Sequence, residues 1–285
     1  MNQPTVEDID NIVEYNITTG ICYYEFAKKL NEKSKEKNKK SKIHIEIESG
    51  MGRTGVQEKN LNSFIEEIKK LENIEVEGVY THFATSDADV EFANQQIEKF
   101  NRAVLVIKKE FKDIKYIHCA NSGAILNVKN YPGNMVRPGI MIYGCYPNDK
   151  LKEKIELKPV CTLKSKISFI KEVEKNTSIS YGRTYTTNKK SIIANVPIGY
   201  ADGIRRMLSN KGNVVVNGKK APIVGTVCMD SFMIDVTELK DVKVGDDVYI
   251  WDNKIITLDE IANQCQTINY EILSTISNRV IRKII

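Results

Sequence analysis

The sequence lacks the marks of several protein classes. None of its six cysteines stands in a CxxC pair, and no apolar run approaches the ~20 residues that a membrane-spanning helix needs. The first residues, MNQPTVEDIDNIVEY, have neither the basic nor the apolar region of a secretory signal. Scattered thiols without a pairing pattern favour a reducing compartment. We therefore expect a cytoplasmic location, no disulfide scaffold and no membrane segment in this chain.

The chain also has little excess of either charge. Its 42 Lys and Arg residues against 37 Asp and Glu residues give a net charge of +5, which is too small for a dedicated nucleic-acid binder. The lysine-rich run at 28–42 has no interleaved aromatic residues, so we interpret it as a solvated helix end and loop. We expect no nucleic-acid partner. At 285 residues with 41% hydrophobic side chains, the chain can form one large globular domain or two modest ones.

The first half of the chain alternates short apolar runs with helical periods, which is typical of βα units around a parallel sheet. The strand candidates are residues 43–47, 76–82, 116–118 and 135–143, and the clearest helical periods cover about 61–71 and 93–111. A closed (β/α)8 barrel takes about 250 residues, whereas this half offers about four to six strands in roughly 145. The pattern therefore predicts an open sheet or an incomplete barrel over residues 1–150.

After about residue 149 the pattern changes to strand-like alternation, which predicts a mostly β domain over 151–285. Its strand candidates are residues 161–173, 191–197, 213–216, 223–236 and 248–251. Asn217 and Gly218 predict a two-residue hairpin turn, because both turn positions need a positive φ. Thr257 and Glu260 predict a capping box at the start of a short helix, and a second short helix is expected near 270–276.

Polar side chains in the first half cluster where predicted strands end. They are Arg53 in the glycine-rich turn 50–55, His82 after the second strand, His118 with Asn121 and Ser122 after the third, and Arg137 before Pro138. Ligands bind at the carboxyl ends of strands in α/β folds, and these groups can hold anions and move protons. Each cluster alone has a structural alternative: a surface arginine, hydrogen-bonded core histidines, a helix N-cap or a salt bridge. No group has metal-ligand spacing, so we predict no metal site.

The second half contains three motifs in which glycine or cysteine accompanies polar residues. They are SYGR at 180–183, GYADG at 199–203 and CMD at 228–230. Tyrosines beside glycines are often only turn or interface residues. Their significance comes from their combination with the clusters of the first half.

The combined motifs resemble those of the alanine racemase family over almost the whole chain. In order they are GMGRTGV, THFATSD, HCANSGA, VRPGIMIYG, SYGRTY, GYADGI, GTVCMD and NYEILSTISNRV. The resemblance implies a pyridoxal-phosphate enzyme with an N-terminal (β/α)8 TIM-type barrel, a C-terminal β domain and a head-to-tail homodimer. It also implies racemisation of a small amino acid, alanine or serine, which supplies D-amino acids for cell-wall precursors.

The resemblance assigns cofactor roles within the first half. Arg137 would face the pyridine nitrogen and His118 would orient it, while His82 and Asn121 would flank the cofactor. Ser122, with the backbone of Gly139 and Ile140, would hold the phosphate. Because a guanidinium does not give up a proton at ordinary pH, Arg137 would weaken the electron sink of the ring and so limit side reactions.

The resemblance also assigns the reacting groups. Tyr181 would act as one base, reaching into the site of the partner subunit, and Arg53 and the Met229 amide would support the substrate. Tyr200 and Arg206 would line the entry corridor. The second base of the family is a lysine in a KANAYGHG-like motif, which this sequence does not contain. We therefore expect only the C-terminal portion of the barrel, and two alternatives stay open: inactivity of the isolated chain, and a non-catalytic binding or regulatory protein that kept the fold.

Two positions depart from the family pattern. Glu46 stands where many members carry a carbamylated lysine, and its carboxylate could pair with Arg53. Asn278 stands where alanine-specific members commonly have tyrosine in an ISYR-like motif. The smaller asparagine would open the pocket, border both cofactor and substrate, and offer a partner for a substrate hydroxyl. Serine racemases of the vancomycin-resistance type look similar here, although their preceding membrane domain has no counterpart in this chain.

Overall fold

A parallel β-sheet organises the first part of the chain in the computed structural model, which describes residues 2–284. Within those residues the sheet has four strands that pair in chain order: β1 (Thr19–Ile21), β2 (Ser41–Glu46), β3 (Ile74–Tyr80) and β4 (Tyr116–His118). The associated helices are α1 (Ile9–Glu14), α2 (Tyr24–Glu36), α3 (Leu61–Lys69), α4 (Val90–Glu110) and α5 (Ser122–Asn127). These elements belong to a first unit, residues 1–142 with 146–157.

Side-chain alternation in β2 separates the core from a polar face. Ile43 and Ile45 are fully buried in a cluster that also contains Phe64 of α3 and Phe100 of α4. The intervening His44 points to the other side of the sheet, because successive strand residues face opposite ways. Burial of the apolar face therefore fixes which side chains of β2 are left for the polar face.

The two strongest helical periods are confirmed as α3 and α4. The weaker pattern before the first strand candidate is helical at α1 and α2, and the lysine-rich run begins inside α2 and ends in β2. The strand predicted over 135–143 is wrong. Met135 makes an isolated parallel bridge to His118, and Ile140–Tyr143 is a 3-10 helix. Pro138 explains the difference, because it has no N–H to continue a ladder and it restricts the residue before it.

The second unit, residues 143–145 with 158–285, is mostly β-structure. Among the described residues, β5 (Leu163–Lys166), β6 (Phe169–Val173), β9 (Ser191–Val196), β10 (Asn213–Val216), β11 (Lys219–Val224), β12 (Phe232–Asp235) and β13 (Asp247–Trp251) form one antiparallel sheet in the order β5-β13-β10-β11-β12-β9-β6. A separate ribbon pairs β7 (Ser178–Ile179) with β8 (Tyr185–Thr186). The helices are α6 (Leu258–Gln264) and α7 (Asn269–Ser274).

The hairpin turn and the Thr257 N-cap predicted for this unit are confirmed, whereas the reciprocal half of the capping box is absent and two strand predictions are corrected. Asn217 and Gly218 have φ values of 48° and 73° between the antiparallel strands β10 and β11. The Thr257 hydroxyl accepts from the Glu260 amide at 3.1 Å, while the Glu260 carboxylate pairs with Lys220 at 2.8 Å. The predicted strand 223–236 is two shorter strands, because Gly225 has a φ of 78° and starts a loop. The predicted strand 161–173 is also two strands, β5 and β6, because the chain changes its pairing partner from β13 to β9 at residues 167–168. No helix among residues 2–284 has both the length and the apolar character to cross a membrane.

Candidate active site

A glycine-rich loop follows β2 and carries Arg53. The Glu48 carboxylate holds this loop by accepting from the amides of Gly50 at 2.5 Å and Gly52 at 2.8 Å. At Gly55, where φ is 122°, a Cβ atom would lie 2.5 Å from the Glu48 nitrogen, so the chain needs glycine there. The Arg53 side chain, between these constrained glycines, is exposed at the carboxyl end of the parallel strand β2. Glu48 was not singled out from the sequence, although an acid just before a glycine-rich turn is a recognisable signal.

Arg137 is the centre of the polar cluster in the first unit. Its Nη1 lies 2.5 Å from His118 Nδ1, and its Nη2 donates to the Thr81 carbonyl at 2.9 Å and lies 3.3 Å from His82 Nδ1. The guanidinium also lies 5.6 Å from the centre of the Tyr80 ring. Its Nε is buried and has no hydrogen-bond partner within residues 2–284. A buried donor without a partner is costly, so this atom calls for an acceptor from a ligand.

A chain of imidazoles extends from Arg137 along the polar face of the sheet. Because a guanidinium can only donate, His118 Nδ1 must accept, and its Nε2–H then donates to His44 Nδ1 at 2.8 Å. His44 Nε2 lies 3.7 Å from the Glu77 carboxylate. That carboxylate accepts from the Thr18 hydroxyl at 2.9 Å and pairs with Lys42 at 3.1 Å. The two hydrogen bonds thus fix the orientations of the His118 and His44 rings, whereas His44 Nε2 has no hydrogen-bond partner among residues 2–284.

Burial and the Arg137 charge keep these imidazoles neutral. Burial, with the Arg137 and Arg53 charges, lowers the pKa of His82 to about 4. Burial, with Arg137 and His44, lowers the pKa of His118 to about 3. Burial also lowers the pKa of His44, although Glu77 opposes this. At neutral pH Arg137 is therefore surrounded by uncharged rings.

Acidification is expected to destabilise the chain through His82 and His118. Their pKa values are lower in the folded state than the ordinary 6.5, so the unfolded chain takes up protons first and the free energy of unfolding falls as the pH drops below 6.5. Each histidine should lower the free energy of unfolding by about 1.4 kcal/mol between pH ~7.5 and pH ~5.5. Urea unfolding at both pH values measures this loss. The NMR signals of His82 and His118 should not move over the same range, and titration of either near its ordinary pKa would contradict the prediction.

Glu46 lies buried on the same polar face, 3% exposed. Burial raises the pKa of Tyr80, and the Glu46 carboxylate, which accepts from the Tyr80 hydroxyl, raises it further. The Tyr80 ring crosses over β1 at Gly20, where a side chain would collide with the phenol. The pairing of Glu46 with Arg53 stays a prediction.

An anion cradle forms beside Arg137, between α5 and the segment after Pro138. The Ser122 oxygen accepts from the Gly139 amide at 2.8 Å, which leaves its hydrogen free to turn toward a ligand. A Cβ atom at Gly139 would have only Ser122 Oγ nearby, at 3.8 Å, so this backbone borders open space. Asn121 caps α5 by accepting from the Ala124 amide at 3.0 Å, and Ile140 is buried next to the cradle. Because the Gly139 amide is already donated to Ser122, the donors that the cradle offers a phosphate are the Ser122 hydroxyl and the Ile140 amide.

A second group of predicted residues meets in the second unit. Tyr181, Tyr200, Arg206 and Met229 line a cavity of about 510 Å³, together with Thr226, Val227, Cys228, Asp230 and Ser231. Asn278 is exposed and stands outside this lining, but its neighbour Arg279 pairs with Asp230 at 2.7 Å and with Asp202 at 3.3 Å. Apart from Asn278, the predicted site residues of the second unit therefore line one cavity, while those of the first unit lie around Arg137 and at the carboxyl end of β2.

Comparison with known proteins gives one family over both units. The family model described as "Alanine racemase, N-terminal domain" matches residues 1–147, and the family model described as "Alanine racemase, C-terminal domain" matches residues 160–284. The chain is 47% identical to "Alanine racemase 2" of Caldanaerobacter subterraneus subsp. tengcongensis over 275 residues, which is 95% of this chain and 71% of that protein.

Solved structures agree with the family models. An alanine racemase of Clostridium difficile 630 superposes with a TM-score of 0.91 at 40% identity, covering 97% of this chain and 73% of that one. An alanine racemase from Bartonella henselae with covalently bound pyridoxal phosphate superposes with a TM-score of 0.85 at 28% identity, covering 97% and 76%. The predicted fold class, an incomplete (β/α)8 barrel followed by a mostly β domain, is confirmed by these neighbours. The chain belongs to the alanine racemase family.

Proposed function

We propose that this chain takes part in the pyridoxal-phosphate-dependent racemisation of alanine and that it accepts serine as well. The observation that carries the proposal is the buried, unpartnered Arg137 Nε, which lies beside neutral imidazoles and the Ser122 cradle. An aromatic ring with one acceptor nitrogen and a phosphate at its other end satisfies both features. The alanine racemase family depends on a cofactor of this form.

The residues of the first unit fit pyridoxal phosphate by their chemistry. Arg137 would donate to the ring nitrogen. The Ser122 hydroxyl and the Ile140 amide would hold the phosphate, with the Gly139 backbone bordering it and orienting Ser122. His82 and Asn121 would border the ring. The cofactor, when bound, supplies the electron sink for the negative charge that forms at the substrate Cα. Because Arg137 would hydrogen-bond the ring without giving up a proton, it would keep that sink weak. His118, itself held by His44, keeps the Arg137 guanidinium in place.

The residues around the cavity of the second unit would handle the substrate proton. Racemisation removes the Cα proton on one face and returns a proton on the other, so it needs a proton carrier on each side. We assign one side to the Tyr181 hydroxyl of a second copy of the chain in a head-to-tail homodimer. Arg53 and the Met229 amide would bind the carboxylate, and Tyr200 and Arg206 would border the entrance. In the cytoplasm the product would serve as a cell-wall precursor.

The other proton carrier is the lysine of the family's KANAYGHG-like motif, which these 285 residues do not contain. The activity is therefore tested with a fusion in which the motif-bearing segment of a family member precedes this chain; we call it the complemented protein. With pyridoxal phosphate it should convert L-alanine to D-alanine, as measured by chiral chromatography. A complemented protein that folds and binds the cofactor but forms no D-alanine would favour a non-catalytic binding role.

Cofactor binding can be measured on the chain itself. We expect the chain to bind pyridoxal phosphate, and Ser122→Ala to weaken this binding about tenfold or more, because a hydrogen bond to a charged group contributes roughly 1.5–3 kcal/mol. Equilibrium dialysis gives the affinities, and borohydride treatment should fix no cofactor to a specific lysine. The matched control is Ser63→Ala, whose hydroxyl bonds the Asn60 carbonyl at 2.9 Å on the surface of α3. Equal affinities in the wild type and Ser122→Ala would rule out the cradle as the phosphate site.

A further inference from the structure

The backbone around Tyr181 has a rare conformation. Ser180, just before it, has a φ of 67° and a ψ of 179°, a combination that is almost exclusive to glycine. Gly182 and Arg183, just after it, also have positive φ values, of 71° and 52°. The Tyr181 side chain itself is 74% exposed. A strained turn that presents an exposed side chain persists only where surrounding contacts hold it.

Hydrogen bonds to residues 225–228 hold this turn. The Ser180 hydroxyl donates to the Thr226 carbonyl at 2.6 Å, and the Thr226 hydroxyl donates to the Tyr181 carbonyl at 2.9 Å. The Ser180 oxygen lies 3.5 Å from Cys228 Sγ. We call the two bonds between residues 180–181 and Thr226 the Ser180–Thr226 latch. It holds the Ser180 side chain on one side of Tyr181 and the Tyr181 carbonyl on the other.

Gly225 makes the room that the latch needs. A Cβ atom at residue 225 would lie 2.7 Å from the Ser180 Cβ and 2.8 Å from the Ile179 carbonyl oxygen. The Gly225 amide is itself held by the Asn210 side chain at 2.6 Å. Glycine thus stands at position 225, where a side chain would collide with the turn, whereas the strained position 180 carries a serine side chain.

The choice of serine at position 180 calls for an explanation, because glycine would adopt this conformation without steric cost. The hydroxyl supplies one, since it ties the turn to Thr226. We propose that Ser180 is a positioning residue whose hydroxyl, through Thr226, fixes the direction in which Tyr181 leaves the backbone toward a second copy of the chain. This inference rests on the proposed role of Tyr181 as a proton carrier.

Backbone order in the full chain tests the latch. In ¹⁵N relaxation experiments the amides of residues 181–183 should have order parameters of about 0.85 in the wild type and below about 0.6 in Ser180→Gly. Thr226→Val, which loses the bond to the Tyr181 carbonyl, should also loosen these residues, and Thr226→Ser should restore their order. The control is Ser168→Gly, which removes a hydroxyl bonded to the Asn195 carbonyl at 3.2 Å. Unchanged order in both Ser180→Gly and Thr226→Val would overturn the proposal.

Thermal unfolding provides a second readout. Ser180→Ala loses the hydroxyl and keeps the strain, whereas Ser180→Gly loses both, so the alanine variant should have the lower Tm. A glycine variant that melts at or below the alanine variant would show that residue 180 is not strained. Neither measurement needs cofactor or activity. If the latch behaves as expected and Tyr181→Phe retains activity in the complemented protein, the proposed role of Tyr181 fails and the latch does not.

Discussion

Replacing Tyr181 with phenylalanine in the complemented protein is expected to lower the rate of racemisation by about 10²–10⁴-fold, the usual contribution of a general acid or base. The substitution keeps the ring and removes the ionisable hydroxyl. The lysine on the opposite face would remain, so exchange of the Cα hydrogen with solvent deuterium should persist for one enantiomer of alanine and fail for the other. Deuterium incorporation followed by NMR, with each enantiomer as the starting substrate, measures this asymmetry.

A matched control is available in the first unit. Tyr15 is 68% exposed and has no part in the proposed site, so Tyr15→Phe should leave both exchange rates unchanged. A loss below tenfold for both enantiomers in Tyr181→Phe would exclude Tyr181 as a base.

Several elements of the fold could be predicted because a local rule determined each of them. The apolar periods of α3 and α4 leave a single face to bury, and the Asn217–Gly218 pair supplies the two positive φ values of a tight hairpin. Ordered motifs in both halves were enough to identify the family. In each case the information lay within a few neighbouring residues or in their order along the chain.

Other features depend on contacts between residues far apart in sequence. His44 could have been found from the alternation of HIEIE, but its role follows from its pairing with His118, 74 residues away. The strand predicted at 135–143 fails because Pro138 ends the ladder after one bridge, and apolar content alone does not reveal this. The unusual φ of Ser180 has no signal in its own residue type. It follows from the space at Gly225 and the carbonyl of Thr226.

Replacing Asn278 with tyrosine in the complemented protein is expected to reduce the use of serine relative to alanine. Asn278 is exposed and outside the cavity lining, so its pocket is the one that the family resemblance implies in the assembled site. There the larger ring would narrow the pocket and remove an amide able to pair with the serine hydroxyl. If one hydrogen bond and a small volume are involved, the change in selectivity corresponds to ~1–3 kcal/mol. The measurement is the ratio of kcat/KM for L-serine to kcat/KM for L-alanine in both proteins.

The expected direction follows from how pockets discriminate between substrates. A pocket that only tolerates a hydroxyl discriminates weakly between serine and alanine, whereas a pocket that hydrogen-bonds the hydroxyl rejects alanine strongly. The size of the change in the kcat/KM ratio therefore separates tolerance from recognition. Asn263→Tyr, at an exposed position of α6, adds the same ring away from the site and should leave the ratio unchanged. If the ratio does not fall in Asn278→Tyr, residue 278 does not set specificity. Alanine would then be the substrate that the remaining residues support.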